Sequence, residues 1–242
     1  QEMMNGGQYN GDDILTVLRS LDKNTARSYS SASLQRTISF AYKNVPGTWS
    51  STNWAKDRTV LLLAAGQQLQ QHWPAIQNFI EREKPLVVSL NHFASVPEES
   101  VDVYVACHPT RIRSQAKAYK QSGKPLIIPW QVLTPDEQLI LQSVTIMDYG
   151  IHIADDELQA DETGCTLPYP LAAAYALCAL AGSAARRVLL CGFDGYHAND
   201  NLQHQMNDTF ARYMHNHPQM ELFAVTPTTY LVPQRSIYMP DL

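Results

Sequence analysis

The chain has 242 residues, 45% of them hydrophobic and 17% charged, with a formal net charge of −5 and four cysteines. That length suits one sizeable α/β domain, able to bury roughly 70% of the surface its unfolded chain exposes. No apolar stretch reaches the about 18–20 residues of a membrane span, no cationic start precedes an apolar core, and no dense basic stripe suits duplex nucleic acid, so a cytoplasmic location is expected by default. Along the chain, Asp12 or Gly11 can cap a helix whose apolar face is Ile14, Leu15, Val17, Leu18 and Leu21. A second helix is predicted near 34–42, and Pro46-Gly47-Thr48-Trp49-Ser50-Ser51 reads as a linker. Residues 1–50 are therefore expected to form a short helical appendage, too small to hold a core, and 58–242 the main domain.

From Arg58 onward, apolar runs at 59–64, 86–90, 101–106, 126–128, 144–147, 188–191 and 222–225 predict strands. Helices are predicted between them at 68–82, 110–121, 135–141, 170–180 and 202–216. Such alternation means βαβ units, and so a Rossmann-like, mostly parallel sheet with helices on both faces. The 170–180 helix is Ala-rich and apolar nearly all round, which predicts burial. Cys107, Cys178 and Cys191 read as reduced core thiols, whereas Cys165, between Gly164 and Thr166 at a loop-to-helix corner, is the thiol expected nearest solvent. Arg111, Arg113, Lys117, Lys120 and Lys124 read as a solvated helix face, with anion contact as the alternative. The acidic stretch Asp155, Asp156, Glu157, Asp161 and Glu162 reads as a solvated loop before a metal site, and no metal ligands are assigned.

Two strand-to-helix corners suggest one crevice, because ligands of open α/β sheets sit beyond the carboxyl ends of the strands. At the first, Gly66 with Gln67 and Gln68 turns backbone N–H groups and a helix start toward an anion. At the second, Gly192-Phe193-Asp194-Gly195-Tyr196 ends an apolar run just before a helix-compatible segment. Between them Asn91 closes one strand, where it either turns the chain or binds a base or ribose, and His108 closes the next. Gly164 and Thr166 precede the Ala-rich helix and are expected to face the crevice. His204, close to the second corner, is a general base or a plain surface histidine, while His215 and His217 suit the negative end of their helix.

These residues resemble a small family of bacterial sialyltransferases, whose nucleotide-binding domain opens with G-x-G-P-S-L, continues to an N-x-F strand end, and later has S-G and then G-x-D-x-Y. The counterparts are Gly66-Gln67-Gln68-Leu69, Asn91-His92-Phe93, Gly164-Cys165-Thr166 and Gly192-Phe193-Asp194-Gly195-Tyr196, in that order across residues 58–229. Gln67 and Gln68 replace the Pro and Ser of the family's loop, and His204 lies slightly off the family's histidine. The resemblance implies a nucleotide held by the Gly66-Gln67-Gln68 loop and Asn91, and the rim positions His108, Gly164, Thr166 and Gly192 are expected to complete that nucleotide site. It also implies that Tyr196 helps the phosphate leave and that His204 is the base, and Asp194, within the same G-x-D-x-Y stretch, is taken with them as a candidate catalytic residue. The implied donor is a CMP-linked sugar used in surface glycan synthesis, a substrate, with no cofactor required.

The same opening and core resemble the 6-hydroxymethylpterin diphosphokinases, which implies as one alternative diphosphate transfer from ATP with Mg²⁺ near Asp155, Asp156 and Asp161. The stretch from Tyr9 resembles the last helices of aldolases related to 4-hydroxy-2-oxovalerate aldolase, so an aldolase-like domain upstream is an expected partner. Its barrel and metal ligands are absent from this sequence, and a non-catalytic module serving that aldolase is the other alternative. Homo-oligomerisation is left open.

Overall fold

The computed structural model describes residues 46–154 and 156–239; the two appendage helices and the aldolase-like stretch lie outside them. The first half of the fold runs β1 (Thr59–Leu63), α1 (Gln67–Gln71), α2 (Trp73–Glu83), β2 (Leu86–Leu90), β3 (Val103–Val105) and α3 (Pro109–Ser122). It continues through β4 (Leu126–Ile128), α4 (Pro135–Ile140), β5 (Ile146–Asp148), β6 (Gly150–Ile153), β7 (Gln159–Ala160) and β8 (Gly164–Leu167). The last elements are α5 (Ala172–Ala181), β9 (Arg187–Cys191), α6 (Asn201–Asn216) and β10 (Glu221–Ala224). The predicted helix at 68–82 is two helices, because Pro74 lacks an N–H to continue α1 and instead opens α2.

Seven strands form one sheet in the order β10-β9-β1-β2-β3-β4-β5, and every neighbouring pair is parallel. The central strands read as continuous apolar runs because both of their faces are covered. Val60 and Leu62 of β1 join one core with Ala174, Leu177 and Phe210 of α5 and α6. Leu61 and Leu63 point the other way, onto Ile76, Phe79 and Ile112 of α2 and α3. The Rossmann-like architecture with helices on both faces is therefore the one the alternation predicts.

A second sheet, β6-β8-β7, has no counterpart in the apolar runs. Its strands, GIHI, QA and GCTL, are too short and too mixed to stand out from loop. It corrects the reading of Cys165: in β8 the thiol is buried under α5 and donates to the Gly150 carbonyl at 3.7 Å. The linker reading of 46–51 is corrected as well. Gly47 N–H donates to Thr163 O at 2.8 Å, and Trp49 N–H to Asp148 O at 2.9 Å. Trp54 stacks edge-on against Trp49 and donates its indole N–H to Ala179 O at 2.9 Å. The segment is held because two tryptophans bury against the domain while its backbone covers the open side of β5. At the opposite edge, Ala224 N–H donates to Pro233 O and Arg235 N–H to Ala224 O, both at 2.9 Å. Among the described residues, no helix is long and apolar enough to cross a membrane.

Candidate functional site at the strand switch

All seven strands end on one rim, and the chain reverses its direction of travel across the sheet between β1 and β9, which is where a crevice opens in such folds. Here the two corners are laced together. Ala64 N–H donates to Cys191 O at 2.8 Å and Gly66 N–H to Gly192 O at 3.0 Å. A Cβ at Gly66 would strike the Asp194 carboxylate and the Gly192 carbonyl, and one at Gly192, whose φ is +72°, would strike Ala64 O. Asp194 Oδ2 accepts the Gln68 N–H at 3.0 Å, while Oδ1 is buried against Gly66 with no hydrogen-bond partner. The α1 donor that the sequence reading assigns to a phosphate is thus taken by the chain's own carboxylate.

On the β2 and β3 side, Asn91 turns the chain at φ +62°, its N–H on Val105 O and its carbonyl receiving the Ser89 hydroxyl, both at 2.8 Å. His92 is fixed by Gln115 at its backbone, by Glu98 at Nε2 (3.3 Å) and by the rings of Tyr104 and Tyr119. His108 stands at the N-cap of α3, 9% exposed. Burial, and then the Arg111 guanidinium, push its imidazole down to about 4, so it is neutral at pH 7. Burial pushes the Cys107 thiol up to about 12, and its contact with Pro170 O at 3.6 Å brings the approach to α5 over the end of β3.

On the β9 and β10 side, Tyr196 is 40% exposed and its N–H donates to Gln203 Oε1 at 2.8 Å. Burial first and Asp200 second raise its phenol, and Arg111 pulls it back. The Arg111 charge is thus felt by His108, after β3, and by Tyr196, after β9. Tyr230 is buried on Phe210; burial, then Tyr196, Asp200 and Asp194, raise its phenol.

No family model and no curated protein matches the chain. Among solved structures it is similar to the MAf glycosyltransferase from Magnetospirillum magneticum AMB-1, with a TM-score of 0.60 over 83% of this chain at 11% identity. The fold is glycosyltransferase-like. The chain spans 37% of that protein's length.

Within this glycosyltransferase-like frame His204 is exposed in the first turn of α6, whose start is capped by Asp200 accepting the Leu202 N–H at 2.8 Å. Gly164 and Thr166 lie in β8, upstream of α5; Thr166 faces His152 and Gln159 in the neighbouring strands. Thr229 and Tyr230 stand in the sequence pattern that follows Gly192 to Tyr196 without a role assigned to them, and Gln203 was missed by sequence reasoning. The available signal was a glutamine on the same helical stripe as Met206 and Phe210, where an apolar residue is the rule. A cavity of about 520 Å³, lined by Asp156, Gln159, Arg212, His215 and Asn216 among others, opens elsewhere. It begins at Ala211, about 16 Å along α6 from Asp200 at 1.5 Å per residue, and Arg212 spans it between Asp208 and Asp156. Among the described residues no group of three or more His, Cys, Asp or Glu is placed to hold a metal ion.

Proposed function

We propose that this chain is a glycosyltransferase domain that binds a nucleotide-activated sugar at the β1/β9 switch and transfers the sugar to an acceptor hydroxyl. The observation that carries the reading is the switch itself: the corners after β1 and β9 are bonded together, and Asn91, His108 and Tyr196 follow strands that end on the same rim, where ligands of open parallel sheets sit. His204 takes the acceptor proton, the acceptor oxygen bonds to the anomeric carbon, and the bond from that carbon to the phosphate oxygen breaks. The released phosphate is received by Arg111 and the Tyr196 hydroxyl. Asn91, Gln67 and neutral His108 contact the nucleoside, and CMP is the nucleotide the sialyltransferase resemblance favours. Asp194, Gly66 and Gly192 hold the floor of the crevice together.

The test is a set of thermal shifts with CMP, CDP, UDP, GDP and ATP, each with and without Mg²⁺. A ligand at about 100 times its Kd adds roughly 2.7 kcal/mol of stability. A metal-independent shift with CMP is expected, and an ATP shift that needs Mg²⁺ would replace sugar transfer by phosphoryl transfer. A second reading, a non-catalytic module, is favoured by one observation: the Asp194 carboxylate already fills the start of α1. Silence across the whole panel selects it.

A further inference from the structure

We propose that Gln203 is the positioning residue of this site, holding the exposed Tyr196 and the buried Tyr230 as one fixed pair beside the β9 corner; this rests on the transfer reading above. Gln203 is 5% exposed in the first turn of α6, on the stripe shared with Met206 and Phe210. A methionine would fill that volume without bringing a polar group inside. A buried carboxamide is costly unless its hydrogen bonds are made, and here both ends make them. Its oxygen accepts the Tyr196 N–H at 2.8 Å, and its nitrogen donates to Thr229 O at 3.0 Å, the carbonyl of the peptide bond that leads into Tyr230. Turning the amide over would set donor against donor and acceptor against acceptor, so its orientation is determined.

Thr229 completes the tie. Its N–H and its hydroxyl both donate to Asp194 O, at 2.9 and 3.2 Å, so the turn after β9 and the loop after β10 move as one body. The two tyrosines come from segments more than thirty positions apart (196 and 230), yet a single side chain fixes the backbone at both. Asp200, which caps the same helix turn, acts on both phenols.

The experiment uses the full chain labelled with 3-fluorotyrosine, with the two signals assigned through Y196F and Y230F among the twelve tyrosines. In Gln203→Met both signals are expected to move while the remaining tyrosine signals hold; a purely structural role would lower the melting temperature without this selectivity. Movement of neither signal, or of one alone, overturns the pairing. Should Gln203→Met not fold, Gln203→Glu keeps the acceptor for Tyr196 and loses the donor to Thr229, and a Tyr230 signal that stays in place overturns the proposal. CMP added to the wild-type sample separates this inference from the reading it rests on. If CMP leaves both signals unmoved while Gln203→Met shifts them, the nucleotide assignment fails and the positioning role stands. If CMP shifts them and Gln203→Met does not, the reverse holds. With both intact, Gln203→Met is expected to weaken CMP binding tenfold or more.

Discussion

His108 carries a charge state that can be read from outside. Its pKa falls from 6.5 in the free side chain to about 4 in the fold, first through burial and then through Arg111. Between those values the unfolded chain holds a proton that the native chain refuses, so this contribution to stability is complete above pH 6.5 and is lost as the pH falls toward 4. The full span corresponds to about 3 kcal/mol. Urea unfolding followed across that window should show the loss, and His108→Gln should remove this share of it. His204→Ala is expected to lower the transfer rate on the order of 10²-fold or more, and a variant as fast as wild type takes His204 out of the mechanism. At Gly192, alanine meets both the left-handed backbone and the Ala64 carbonyl. The backbone alone costs about 1–3 kcal/mol, so Gly192→Ala should unfold at clearly lower denaturant. The two glycine corners were visible in the sequence as breaks after apolar runs. That Asp194 closes on Gly66 was not, because nothing local says which of two distant corners a carboxylate will cap.

Among the elements, the seven strands of the main sheet and the helices between them were legible because a two-sided parallel sheet writes itself as apolar runs. The small β6-β8-β7 sheet was hidden for the opposite reason: it has one partner layer, α5, and few residues. The segment before β1 was misread because Pro46, Gly47 and two serines look like a tether, whereas Trp49 and Trp54 do the anchoring. Replacing Trp54 by phenylalanine keeps most of the packing and removes the indole donor to Ala179 O, a change of about 1 kcal/mol in the unfolding free energy. Helix α4 offers a cleaner check of local chemistry. Thr134 and Glu137 form a reciprocal capping box, so Thr134→Ala should cost about 1 kcal/mol.

For the molecule as a whole, the docked segment makes residues 46–57 part of the folding unit. A chain starting at Pro46 should therefore unfold at a higher urea midpoint than one starting at Arg58, which leaves Asp148 without the Thr48 donors and exposes the edge of β5. The order of strands has a consequence for how the protein is made. β1, with Val60 to Leu63 fully buried, finds β2 almost at once but pairs on its other side with β9, whose first residue is Arg187. At roughly 5–20 residues per second, a ribosome needs on the order of ten seconds to deliver that partner. Through that interval the β9 flank of Val60 to Leu63 is unpaired, and the crevice stays incomplete until the corner with Asp194 and Tyr196 has followed. A chain that stops before β9 therefore carries five of the seven strands, with Gly66, Asn91 and His108 at their ends but without Asp194, Tyr196 and His204 opposite them.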